Sequence, residues 1–322
     1  MTLLAYFLTI IKNAIYGTSV FFTGSLTSSV DVLDVLALRF LLSFVVLWLL
    51  KITRIVKINV GLKDVFGKTK RSPFIKSLIL AALFEPVLYM LFETLGISMV
   101  SGVTAGVILS LGPVTSLICE ALLLKEHASK LQIVFLGIGI LGVIYISVCT
   151  GTTEGSSSVF GIFCLVGAVL CGSLFAVFSR KSSHHFSCFE ISYFSCLFGT
   201  VAFNTVNVIR HIANGDILNY FEPYFNIDNM IGFAFLGIIS TVLATFMGNF
   251  ALGKLQVSTT AAFGGISTVV TILIDVIFNS EPLYYFHYIG ISMILLRMIG
   301  VSVISIRRDK KKLELSKSTV KI

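Results

Sequence analysis

Apolar residues run through this chain in blocks of about 20, long enough to cross a bilayer as helices, and short polar breaks separate the blocks. Ten blocks can be drawn, over residues 3–22, 32–50, 74–95, 100–124, 131–149, 159–179, 188–209, 230–252, 257–279 and 283–306. A bilayer offers backbone N–H and C=O groups no water to bond, so a continuous apolar run there must satisfy itself as a helix. The pattern predicts an all-α polytopic membrane protein with ten transmembrane helices. The first block continues past Lys12 to Phe22 with no basic segment ahead of it, and so reads as a spanning helix, not a cleaved signal.

Composition agrees: 56% of the 322 residues are hydrophobic and only 12% are charged, more apolar surface than a soluble domain of this length could hide. The formal charge of +8 could suggest nucleic acid, but the placement of the basic residues argues against it. Of the 24 Lys and Arg, eight lie in residues 51–76, two in 125–130, two at Arg180 and Lys181, one at Lys254 and seven from Arg307 onward. All of these fall on one side if the N-terminus is cytoplasmic. The loops on the other side hold only Arg210, and Lys12, Arg39 and Arg297 lie within blocks. This bias predicts a multi-pass protein of the plasma or inner membrane with both termini in the cytoplasm. The charge of the 51–76 loop and the tail also invites the hypothesis of contact with anionic lipid headgroups, but orientation alone explains it.

The two halves resemble each other. Val100-Ser101 and Val257-Ser258 each open a block rich in small residues, and those blocks end at Lys125-Glu126 and Ser280-Glu281. One copy of the unit holds five spans, so the second enters the membrane upside down. Inverted repeats are a transporter architecture, with the substrate site near the midplane between the halves. The expected divisions are a first repeat over 1–150, a second over 151–306 and a basic cytoplasmic tail over 307–322.

Tyr16-Gly17 in the first span, Arg39-Phe40 in the second, the small-residue fourth span with Pro113, Glu126, and Gly137, Gly139 and Gly142 in the fifth resemble the EamA family of the drug/metabolite transporter superfamily. Gly172, Ser258, Glu281 and Gly290 repeat much of this in the second half. The resemblance implies a ten-helix carrier of two inverted five-helix repeats, working by alternating access and often exporting amino acids or other small metabolites. Two departures bear on local helix geometry. Thr268 or a neighbour stands where the first repeat has Pro113, and Arg297 stands where the family has a small residue.

Five charges fall well inside spans: Lys12, Arg39, Glu85, Glu93 and Arg297. Each disfavours insertion by about 2.5–3.5 kcal/mol on translocon scales, so such groups face a bundle interior, pair, and mark a substrate or ion path. Glu85 is followed by Pro86, which removes a backbone donor and disturbs the helix, something lipid tolerates only where neighbours or water re-satisfy the freed carbonyl. Glu85 and Glu93 are eight residues apart, about 80° round a regular helix, so both can look into one cavity. Depth pairs Lys12 with Glu85 near mid-membrane and Arg39 with Glu93 nearer the outer face. Glu85 then either binds the ammonium group of a substrate or carries a proton coupled to transport. The blander alternative is a fixed Lys12–Glu85 ion pair that glues two helices. Arg297 is expected to reach toward the cytoplasmic surface.

Asn13, Tyr16, Tyr89 and Asn249 are polar groups in apolar spans and candidate cavity-lining residues, as are Thr104, Ser110 and Pro113 on the small-residue fourth span. Gly102, Gly106 and Ser110 recur every four residues, a spacing that lets helix backbones approach closely. Glu126 and Glu281 are expected to act at turns, Glu120 and Asp275 to be solvated or interfacial. The six cysteines read as small packing residues with no metal-binding spacing. No cofactor and no metal are expected. The sequence G-x-x-x-x-G-K-[ST] is absent, as are a nucleophile elbow and H-E-x-x-H, so neither ATP hydrolysis nor an intramembrane enzyme is favoured. The expected function is a secondary-active exporter, a monomer or homodimer, with a channel or membrane sensor as the alternative.

Overall fold

A computed structural model describes residues 2–27, 29–54, 56, 72–97, 99, 108–109, 111–125, 129–150, 159–278 and 284–319. Among them there are helices and no strands. Helix α1 is Thr2–Thr27 and α2 is Val32–Ile52. The third span is broken into α3 (Ser72–Ala82), a π-helical stretch Leu83–Leu88, and α4 (Tyr89–Ile97). Next come α5 (Gly112–Leu123), α6 (Lys130–Thr150), α7 (Val159–Ser182) and α8 (Cys188–Asn214). The eighth span is α9 (Ile227–Ala234), a second π-helical stretch Phe235–Ala244, and α10 (Thr245–Leu252). The chain closes with α11 (Val257–Ala262), α12 (Gly265–Phe278) and α13 (Tyr285–Thr319).

Seven of these helical segments are long and apolar enough to cross a membrane, and shorter apolar helices cover Gly112–Leu123, Lys130–Ile146 and Val257–Thr271. The chain is therefore an all-α membrane protein. Expected and observed segments differ in detail. The block 257–279 is not one helix, because the chain turns at Phe263-Gly264 between α11 and α12. Of the block 100–124, residues 108–109 and 111–124 are described.

Local chemistry explains the ends that matter here. Ser187 caps α8 by accepting from the Glu190 N–H while the Glu190 carboxylate accepts from the Ser187 N–H, a reciprocal box that satisfies two otherwise orphaned donors. The far end of α8 stops at Gly215, whose φ of +75° suits a residue without a side chain.

The helices gather into two groups. Helix α1 packs on α10, α12 and the Phe235–Ala244 stretch, and α2 packs on that same stretch. In the other group α7 packs on α3, α4 and α5, and α8 on α3 and the Leu83–Leu88 stretch. The groups meet where α2 lies on α8 and where α5 meets α11. A buried cluster of Leu38, Phe40, Phe203, Phe233 and Leu236 cements the first of these seams. Helices α6 and α13 pack chiefly on each other, with α13 also touching α11 and α12, and the apolar groove on the pair is lined by Leu141, Ile144, Tyr145, Val148, Ile289 and Met293. That pair contributes none of Lys12, Arg39, Glu85 and Glu93.

Candidate functional site

The third span is shaped by one proline. Pro86 has no N–H to give to the helix, and its ring pushes the preceding residue out of the α region. Glu85 accordingly has φ −138° and ψ 122° within the π-helical stretch. The 80° relation between Glu85 and Glu93 expected of a regular helix does not hold, because the helix is interrupted between them. Pro86 is buried against α8 at Gly199, where an added Cβ would come within 2.7 Å of the proline ring. The second π-helical stretch, Phe235–Ala244, lies between α9 and α10. There the Thr241 hydroxyl donates to the Leu236 carbonyl five residues back, a spacing that belongs to π-type turns, which are frequent at functional sites.

Between the two helix groups lies a charged cluster whose signs are sorted by wall. Lys12 and Tyr16 come from α1 and Arg39 from α2. The Lys12 ammonium sits 4.9 Å from the centre of the Tyr16 ring, a cation–π contact, and its stem runs along α10 at Gly248. Arg39 Nε donates to Thr241 Oγ1 at 2.7 Å and Nη2 to Ser240 Oγ at 3.3 Å, both in the π-helical stretch of the eighth span. The opposite wall carries Glu85, Tyr89 and Glu93, with Cys196 of α8 close by. The Tyr89 hydroxyl donates to Glu93 Oε1 at 2.6 Å, and the Tyr89 ring lies over Gly172 of α7.

Glu85 is within electrostatic reach of Lys12, Arg39 and Glu93. Yet among the described residues no ion pair within 4.0 Å joins either cation to either carboxylate, so the fixed Lys12–Glu85 pair is not formed. Lys12, Tyr16, Glu85, Tyr89 and Glu93 are set deep among protein atoms and still keep part of their surface accessible. In a low-dielectric interior, uncompensated charges on facing walls are a strong attraction for a molecule that carries the complementary groups.

The other expected site residues divide. Asn13 is buried and donates to the Thr9 carbonyl of its own helix at 2.7 Å. Asn249 is buried and accepts from Ser179 Oγ at 2.6 Å and donates to Ser192 Oγ at 3.0 Å, tying α10 to α7 and α8. Pro113 is buried in the first turn of α5. Thr104 and Ser110, with Gly102, Gly106, Glu126, Glu281 and the side chain of Asp275, lie outside the described residues.

Two expectations are corrected. Glu120 is not solvated but 2% exposed, because α11 arrives from the other half and offers it two backbone donors. Arg297 does not reach the surface. It is 2% exposed and lies between α6 and α12, its stem against Gly139 and its guanidinium against Gly265. Ser240, Thr241 and Cys196 were missed as neighbours of the cluster. Two consecutive hydroxyl residues near the middle of the eighth span were the available signal.

The sequence model of the EamA-like transporter family matches residues 3–148 and again residues 159–305. The uncharacterized transporter YcxC of Bacillus subtilis is 26% identical over 307 residues, 95% of each sequence. The uncharacterized transporter YetK of the same organism is 24% identical over 88% of this chain and 82% of its own. A solved structure described as a crystal structure of a protein superposes with a TM-score of 0.72 over 94% of this chain and 98% of that one, at 16% identity. It shares the fold.

Proposed function

The chain belongs to the EamA-like transporter family, and we propose that it is a secondary-active carrier exporting amino acids or other small metabolites by alternating access through the cavity between its two helix groups. In this reading ten spans form two inverted five-helix repeats, over residues 1–150 and 151–306, with a basic tail over 307–322. The positive-charge bias supports a reading with both termini in the cytoplasm and the chain in a plasma or inner membrane. Glu85 binds the substrate's ammonium group or carries the coupling proton. Lys12 and Arg39 supply positive charge on the facing wall, and Tyr16, Tyr89 and Glu93 complete the lining.

The observation that carries the reading is the sorting of unpaired charges, cations on α1 and α2 against carboxylates on the broken third span. A charge withdrawn from water and left without a counter-charge is strongly destabilising, so charges kept apart on facing walls call for a third party. A structural ion pair would be closed. A cavity that receives a molecule or a proton, and must release it again, is served by charges that stay apart.

The test is proton-driven flux in proteoliposomes, wild type against Glu85→Gln, over a panel of amino acids and cationic metabolites. Loss of pH-driven accumulation with passive exchange retained identifies Glu85 as the coupling group. Undiminished transport by the variant makes Glu85 structural. Wild-type flux that never exceeds equilibration would replace the carrier with a channel.

A further inference from the structure

Two polar clasps join the halves of the sequence at opposite ends of the molecule. In the first, Asp34 near the start of α2 is held by α8. Asn207 Nδ2 and His211 Nε2 each lie 2.8 Å from its Oδ1, and Arg210 Nη2 lies 2.8 Å from its Oδ2. Asp216, just past the end of α8, sits 3.0 Å from the other ring nitrogen of His211. In the second, Glu120 near the end of α5 accepts from the backbone N–H of Val257 at 2.8 Å and of Ser258 at 3.0 Å, the first residues of α11. Arg180, in the last turn of α7, stands 3.6 Å from the same carboxylate and donates to the Leu255 carbonyl.

Their separation follows from the helices that carry them. Arg180 ends α7 and the chain turns directly into the start of α8 at Cys188, whereas His211 is in the last turn of α8. A helix rises about 1.5 Å per residue, so the two clasps are separated by about 35 Å along α8, roughly a membrane thickness. The charged cluster around Glu85 lies between them. Each clasp also sits at a place where the two helix groups meet, α2 on α8 and α5 on α11. Both use a buried carboxylate of the first half gripped by donors of the second, the arrangement in which hydrogen bonds are strongest.

We infer that the Asp34 and Glu120 clasps are the two gates of the cavity, each of which must part for the cavity to open on its own face. The inference rests on the alternating-access reading. A carrier whose two gates are both shut encloses its cavity, and loosening one gate then shifts the population toward opening on that side alone.

Cys196 provides the reporter, since it is 1% exposed, is packed with Leu47 and Val242 at mid-α8, and is within electrostatic reach of Arg39. With the other five cysteines replaced by serine, a membrane-impermeant maleimide is applied to the Asp34 face or the Glu120 face of oriented vesicles. Asp34→Asn is expected to raise the labelling rate from the Asp34 face about tenfold and lower it from the Glu120 face, and Glu120→Gln is expected to do the reverse, the size set by weakening a charge-assisted bond. Opposite shifts cannot come from general misfolding, which would expose Cys196 to both sides. If both variants shift the same way, or neither changes the ratio of the two rates, the gate assignment falls while alternating access stands. If wild-type Cys196 is labelled from one face only, both fall.

Discussion

The Tyr89 hydroxyl donates to Glu93 at 2.6 Å from one turn away on α4, so this half-buried carboxylate is held by a neutral donor of its own helix and not by Arg39. Arg39 is committed instead to Thr241 and Ser240 on the opposite wall. The two walls therefore keep separate hydrogen-bond networks. Tyr89→Phe removes the donor but keeps the ring that covers Gly172. Since a hydrogen bond to a charged group contributes about 1.5–3 kcal/mol, the variant is expected to fold normally and transport roughly 10- to 100-fold more slowly. Flux per folded molecule in proteoliposomes reads this. An unchanged rate with an unchanged melting curve would show that Glu93 needs no fixed orientation.

Asn249 gives a contrasting case, where the polar group is spent on architecture. Its amide joins Ser179 of α7 and Ser192 of α8, so one side chain from α10 ties three helices. Interhelical hydrogen bonds inside membranes contribute about 0.6 kcal/mol on average and up to about 1.7. Asn249→Ala removes two of them and strands two buried hydroxyls, for an expected loss of about 1–3 kcal/mol. Thermal unfolding in detergent should show it. Combining the change with Ser179→Ala and Ser192→Ala should give less than the sum of the parts, because the serines then have no partner left to lose. Strict additivity would mean that the three groups do not act together.

How much of this could be read before the structure depends on the kind of interaction. A charge in the middle of an apolar run has nowhere cheap to go, so Lys12, Arg39, Glu85 and Glu93 announced an interior site by position alone. Pro86 likewise announced a broken third span, since its effect is local and covalent. Partners were another matter. Glu120 lies near the end of its run and looked interfacial. Its burial is decided by α11, 137 residues later in the chain, which no local pattern encodes. Asn249 and Tyr89 read alike in sequence, polar groups in apolar spans. Only the packing of α10 against α7 and α8 separates the knot from the cavity wall.

Arg297 carries the last prediction. Its side chain is buried near the middle of α13, and among the described residues nothing accepts a hydrogen bond from it, with Nε wholly enclosed. Its stem passes so close to α6 that a Cβ on Gly139 would meet Arg297 Cδ at 2.2 Å. The space is therefore shaped for an unbranched chain, and the charge at its tip is what the surroundings do not answer. Insertion scales put an arginine at mid-helix at about 2.5–3.5 kcal/mol unfavourable, and a buried charge is best replaced by an apolar group of similar volume. Methionine has the right length, lacks the charge and adapts to irregular gaps. Arg297→Met is thus expected to raise the midpoint of thermal unfolding, by an amount equivalent to about 1–3 kcal/mol. Glu120→Ala is the control with opposite sign, because it strands the Val257 and Ser258 donors. If Arg297→Met proves less stable than wild type, the guanidinium has an acceptor, and Arg297 belongs with the residues that hold the helices together.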